Sequence, residues 1–82
     1  MAVINELDKA IFEAEEMGEW LDACFEDEET GEVFFVEIRK AHDTAEEFVA
    51  ACLEIAEENF DAPHFLQIVE QEEAEMLGYD TY

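Results

Sequence analysis

Carboxylates are the residues of this chain that could support chemistry, and they are densest in residues 26–32, which carry five carboxylates and no cation. With Glu37 added, the segment has the spacing of an EF-hand calcium loop, in which Gly31 is sixth and Glu37 twelfth. The first position departs from that motif, because Glu26 stands where the loop has aspartate. Strand-like segments also replace the flanking helices. We therefore expect a hairpin turn with no metal or other cofactor, and a calcium-binding module remains an alternative.

Catalytic motifs are not found in the sequence. It contains no phosphate-binding loop, no H-E-x-x-H segment and no spacing typical of a nucleophile beside a base. His42 and His64 are isolated from one another and from the cysteines. Paired carboxylates are so frequent that none stands out as an acid and base couple. We expect that the protein is not an enzyme.

The first half of the chain predicts a helix followed by a β-hairpin. Over residues 4–17 the apolar side chains recur at helical spacing, which predicts a buried face of Ile4, Leu7, Ala10, Ile11, Ala14 and Met17. On the helical wheel Phe12 falls on the acidic side. It is either a core residue or an exposed aromatic anchor for a partner. Residues 20–25 and 33–38 read as two strands, and Gly31 supplies the conformational freedom that the connecting turn needs.

The second half predicts a longer helix, a third strand and a short terminal helix. Thr44 begins a capping sequence, and the helix is expected to run to about Phe60, because Pro63 prevents its continuation. Residues 65–69 are expected to form a strand and residues 70–77 a helix, although an all-helical segment from Pro63 onward is the alternative. Residues 79–82 are expected to fray.

These elements predict one domain over residues 1–82, of class α+β and order α-β-β-α-β with a short terminal α. Two amphipathic helices would pack on a small, mainly antiparallel sheet in two layers. Cys24 and Cys52 fall on predicted core faces and are expected to be buried free thiols, although a disulfide between them is left open. The first residues lack a basic segment and no stretch is long enough for a membrane span, so we expect neither signal peptide nor membrane association.

The charge balance is the strongest functional signal. The chain has 25 Asp and Glu against three Lys and Arg, a formal net charge of −22 in 82 residues. A small domain needs a net charge of only roughly 2–8 units to be soluble. Such a charge repels nucleic acid and anionic membranes and attracts basic surfaces. Because half the residues are apolar, the chain is expected to fold rather than to behave as a disordered acidic tail.

Acidic side chains on a helix face and a turn can imitate the regularly spaced phosphates of a nucleic acid, since neighbouring helical positions lie about 5–6 Å apart. Trp20 and Phe12 could add apolar specificity. The predicted partner-binding residues are Glu26, Asp27, Glu28, Glu29, Glu32, Glu47, Glu54, Glu57, Glu58, Asp61, Trp20 and Phe12.

In size and charge the chain resembles the small acidic DNA-mimic proteins of phages and mobile elements, among them anti-restriction and anti-CRISPR inhibitors. Residues 18–23, Gly-Glu-Trp-Leu-Asp-Ala, are similar to the G-x-W-x-D-A segment of ArdA anti-restriction proteins. The resemblance implies an inhibitor that occupies the basic DNA or RNA channel of a CRISPR effector or restriction enzyme. It would act in the cytoplasm of a host bacterium as a monomer or homodimer and would not bind nucleic acid. The alternative to this hypothesis is a halophilic acidic domain of unrelated function.

Overall fold

Three helices and three strands make up the fold in a computed structural model, which describes residues 4–15 and 17–82. In chain order the elements are α1 (Glu6–Ala14), β1 (Leu21–Asp27), β2 (Val33–Glu37), α2 (Ala45–Asn59), β3 (Pro63–Glu70) and α3 (Gln71–Leu77). The predicted α+β class and element order are therefore confirmed.

The sheet is antiparallel and has the order β2-β1-β3. In the hairpin, Phe25 of β1 lies opposite Phe34 of β2. β3 pairs with the other edge of β1, with a register shift after Cys24. The prediction of a third strand is thus confirmed and the all-helical alternative after Pro63 is wrong. β3 contributes buried apolar residues to both faces of the sheet, as a strand within the sheet does and a helix packed on one face does not.

The main core lies between one face of the sheet and the helices α1 and α2. Its aromatic centre is Phe34, whose ring stacks on Phe60 at 4.0 Å and lies 5.7 Å from Phe25. α2 contributes Phe48, Val49, Cys52 and Ala56, all buried. Thr44 caps α2 by accepting a hydrogen bond from the Glu47 N–H at 3.1 Å, as its sequence predicts.

The second face of the sheet is covered in part by α3. Cys24, Phe35, Val69 and Ala74 form a smaller cluster there. The two cysteines therefore lie in separate clusters, and both are free thiols. Burial raises the pKa of Cys24 to about 11 and that of Cys52 to about 12, so neither is a thiolate at neutral pH.

Residues 79–82 do not fray, contrary to expectation. The Phe35 N–H donates to the Asp80 carbonyl at 2.8 Å, and the Tyr82 N–H donates to the Phe35 carbonyl at 2.8 Å. The Tyr82 ring also meets Phe34 edge-on at 5.5 Å. This segment therefore occupies the free edge of β2, because the edge offers unpaired backbone groups and its aromatic neighbours offer a packing surface.

The buried face of α1 differs from the predicted one. Leu7 is 67% exposed and Met17 46%, whereas Asp8 and Phe12 are 2% exposed. The helix also ends at Ala14 rather than at residue 17. Two contacts orient it: Phe12 packs on Phe48 with ring centroids 5.9 Å apart, and an Asp8 carboxylate oxygen accepts the Ile68 N–H of β3 at 3.1 Å.

Gly18 allows this orientation of α1. Its φ is +85°, and a Cβ at this position would lie 2.8 Å from Cε1 of Phe12. A side chain would therefore meet both an unfavourable backbone conformation and the buried ring. Glycine lets the chain turn tightly over Phe12 before β1 begins.

Candidate protein-interaction surface

The turn between β1 and β2 is held together by Asp27. Its carboxylate accepts hydrogen bonds from the Thr30 hydroxyl at 3.1 Å and from the Ala62 N–H at 3.3 Å. Asp27 is only 3% exposed. The prediction that it contacts a partner is therefore wrong, because its carboxylate faces inward and bonds the turn to the segment that follows α2.

Replacing Asp27 with alanine is expected to destabilise the fold by about 1–3 kcal/mol, because the part-buried Ala62 N–H and the Thr30 hydroxyl lose their acceptor. Asp27→Asn keeps one acceptor oxygen and should lose less. Urea unfolding of both variants gives the comparison, and Glu28→Gln is the matched exposed control in the same turn. Equal midpoints for Asp27→Ala and Glu28→Gln would contradict the anchoring role.

The anchored turn brings its acids beside the end of α2. The Glu28 N–H donates to the Ala62 carbonyl at 3.0 Å. Glu29 thereby comes close to Asp61, whose negative charge raises the pKa of Glu29. His64 Nδ1 lies 3.6 Å from a carboxylate oxygen of Glu28. Two acidic segments separated in sequence are therefore continuous in space.

α2 extends this acidity along the molecule. At 100° per residue, Glu47, Glu54 and Glu58 lie within about 40° of one another on the helix, opposite its buried residues. With a rise of about 1.5 Å per residue, they span roughly 16 Å of helix, interrupted by Ala50 and Ala51. Glu57 flanks this line and Asp61 follows its end. We call the following exposed residues the acidic surface: Glu28, Glu29, Glu32, Glu47, Glu54, Glu57, Glu58 and Asp61.

The remaining predicted contact residues lie outside the acidic surface. Glu26 is half-buried on β1. Phe12 is in the core, so its assignment as an exposed anchor is wrong: its ring is 2% exposed and packs on α2. Trp20 is 53% exposed and immediately precedes β1, at the opposite end of that strand from the turn.

Basic side chains do little to interrupt the acidic surface, because two of them are already engaged by other acids. Lys9 Nζ lies 3.3 Å from Glu46, and the Arg39 guanidinium lies 2.7 Å from Asp22 and 2.6 Å from Glu37. Burial raises the pKa of Asp22, and the Arg39 hydrogen bond opposes that shift. The inward carboxylates of Asp8, Asp22 and Asp27 were not predicted from the sequence. Only Asp22 had a signal, since strand alternation places it on the same face of β1 as the buried Cys24.

Replacing Asp61 with asparagine is expected to bring the pKa of Glu29 back toward the usual glutamate value. A raised pKa in the folded state means that this carboxyl's stabilising contribution is present below its ordinary pKa of 4.5 and is lost as the pH rises through the raised value. Asp61→Asn should therefore raise the melting temperature at pH 7 and weaken the decline in stability as the pH rises above about 4.5.

Thermal melts between pH 4 and 7, with NMR titration of the Glu29 carboxyl, measure this effect. Glu58→Gln removes one exposed carboxylate without removing the Asp61 charge and serves as the control. An unchanged Glu29 titration in Asp61→Asn would show that the turn and the end of α2 do not share one electrostatic environment.

The calcium-loop interpretation does not fit the geometry of the turn. The loop joins two paired strands, and its first-position residue Glu26 lies within β1 while Glu37 ends β2. Across residues 4–15 and 17–82, no three His, Cys, Asp or Glu side chains are grouped as metal ligands. The same ranges contain no helix that is both long and apolar enough to cross a membrane.

Comparisons with protein-family models, with curated proteins and with solved structures gave no match to this chain. The role of the acidic surface is therefore inferred from its geometry and charge.

Proposed function

We propose that this protein is an acidic nucleic-acid mimic, which inhibits a nucleic-acid-binding defence protein by occupying its basic DNA or RNA channel. The observation that carries the proposal is the continuity of the acidic surface. Exposed carboxylates of α2 lead through Asp61 into the hairpin turn, where Glu29 lies close enough for its pKa to be raised. Repulsion among these like charges lowers the stability of the fold. We therefore attribute the acidic surface to a role outside the fold.

Charge determines the class of partner. A negatively charged array attracts a cleft lined with lysine and arginine, because such a cleft is built to neutralise phosphates. A helix and an anchored turn hold the backbone that carries these carboxylates, so binding orders little backbone and its entropy cost falls on the exposed side chains. Direct binding to nucleic acid is opposed by the net charge of −22. The assignment of the partner to a defence system rests on the resemblance to acidic DNA mimics in size and charge.

Binding should be stoichiometric, without turnover, and sensitive to salt. The screening length falls from about 10 Å at 0.1 M salt to about 3 Å at 1 M, so attraction between exposed charges weakens strongly over that range. Long-range attraction acts mainly on the association rate. An inhibitor of this kind should therefore bind fast at low salt.

Affinity capture from a bacterial lysate at low salt, with elution by 1 M sodium chloride, tests the proposal. The eluate should be enriched in DNA- or RNA-binding proteins, identified by mass spectrometry, and added duplex DNA should prevent their capture. A matched column carrying a neutral-surface variant, in which the exposed acids of α2 and the turn are replaced by glutamine, should capture much less. Retention of proteins without a basic nucleic-acid site, equally on both columns, would overturn the proposal.

A further inference from the structure

Trp20 forms a second exposed feature, outside the acidic surface. Its side chain is 53% exposed, in a chain whose other large aromatic rings lie mostly in the core. It lines a surface pocket of about 370 Å³ with Glu15, Glu70, Gln71 and Glu72. An indole surface this open is costly to hydrate and is common at protein contacts.

The backbone fixes this pocket. The Gln71 N–H donates to the Trp20 carbonyl at 3.2 Å, which joins the turn before β1 to the start of α3. The next residue, Leu21, pairs with Glu70 at the end of β3. The segments that carry Trp20, Glu70 and Glu72 are thus held together by strand pairing and by a backbone hydrogen bond.

The carboxylates of this pocket are free to take a cation from outside. Within the part of the chain that the structure describes, the lysine and arginine ion pairs engage Glu46, Asp22 and Glu37, and none reaches Glu15, Glu70 or Glu72. The net charge of −22 adds to the attraction for a positive group. A flat aromatic ring rimmed by unpaired acids complements a planar, positively charged side chain.

We propose that the Trp20 pocket docks an arginine side chain of the protein that the acidic surface binds. The guanidinium can stack on the indole while its N–H groups donate to Glu70 or Glu72, a combination that an ammonium group does not reproduce. The inference rests on the proposed function for the identity of that partner. β1 separates the pocket from the turn by about 23 Å for seven residues, so a partner that reaches both must extend over that length.

The inference can be tested on the intact protein without any partner, because Trp20 is the single tryptophan and its fluorescence reports on the pocket. The probe is a blocked Gly-Arg-Gly tripeptide, with the lysine and citrulline tripeptides for comparison. Arginine should give a saturable change in emission, lysine a weaker one, and citrulline none. The double variant Glu70→Gln/Glu72→Gln should weaken arginine binding by about threefold or more.

The matched control is Glu54→Gln/Glu58→Gln, which removes the same charge from α2 and should leave arginine binding nearly unchanged. Equal weakening by the two double variants would mean general attraction to a negative protein and would overturn the pocket. Absence of any saturable change with arginine would overturn it as well. Either of these results would leave the proposal of nucleic-acid mimicry standing, because the capture experiment tests that proposal separately. If the capture experiment failed and arginine still bound, the pocket would stand without its proposed partner.

Discussion

Replacing Phe12 with alanine is expected to destabilise the protein by about 3–5 kcal/mol, the usual cost of truncating a buried phenylalanine. The ring is 2% exposed, packs on Phe48 and lies beneath Gly18. Its removal leaves a cavity between α1 and α2. That loss is a large share of the roughly 5–15 kcal/mol that stabilises a typical domain. Urea unfolding followed by circular dichroism measures it.

Trp20→Ala is the matched control, because the sequence predicts both aromatic residues as contact residues and the structure buries only one. A half-exposed ring should cost less, about 2 kcal/mol, because it buries only about half the apolar area of a core ring. Similar unfolding midpoints for the two variants would contradict the placement of Phe12 in the core. Phe12→Leu retains much of the buried volume and should fall between wild type and Phe12→Ala.

Neutralising six residues of the acidic surface is expected to abolish partner binding while the fold persists. The changes are Glu→Gln or Asp→Asn at Glu28, Glu29, Glu47, Glu54, Glu58 and Asp61, all exposed. Removing like charges relieves repulsion, so stability should be unchanged or higher. The association rate should fall most at low salt, and the difference from wild type should shrink at high salt. Surface plasmon resonance against a captured partner, at several salt concentrations, gives both rates.

A second six-fold variant separates position from total charge. It carries the same number of neutral substitutions outside the acidic surface, at Glu6, Glu13, Glu19, Glu73, Glu75 and Asp80. Its association should slow moderately through the smaller net charge, yet binding should remain. If both variants lose binding equally, net charge alone attracts the partner and the arrangement of acids on α2 and the turn has no special role.

α2 and the hairpin could be predicted from the sequence because local and tertiary preferences agree there. In α2 the apolar arc, the Thr44 cap and the stop before Pro63 all indicate one helix with one buried side. The acids opposite that arc are exposed as a consequence. Half of the acidic surface, the four glutamates of α2, therefore follows from helical periodicity alone.

α1 shows where such reasoning fails. Its predicted apolar face contains two alanines, whose burial contributes little, whereas one buried phenylalanine removes about 150–250 Å² from water. Burying Phe12 rotates the helix and leaves Leu7 outside. The rotation also buries Asp8, which satisfies a backbone N–H at the edge of β3. Periodicity within one helix could not reveal that distant acceptor role.

The hairpin turn also contains a feature that the sequence alone does not predict. Glu28, Glu29 and Asp27 look equivalent in the sequence, but only Asp27 points inward, toward the Thr30 hydroxyl and Ala62. The shorter aspartate side chain suits a compact turn, and Ala62 lies 35 residues further along the chain. The proximity of Glu29 to Asp61 likewise depends on that tertiary contact. The sequence alone therefore predicts two acidic segments but not that they lie side by side.

Mutual exclusion between the wild-type protein and duplex nucleic acid on one captured partner tests the central claim most directly. In a gel-shift titration of the partner with labelled DNA or RNA, added protein should release the nucleic acid at near-stoichiometric concentration, and the six-fold neutral surface variant should not. A ternary complex of partner, nucleic acid and protein, or full release by the neutral variant at the wild-type concentration, would contradict nucleic-acid mimicry.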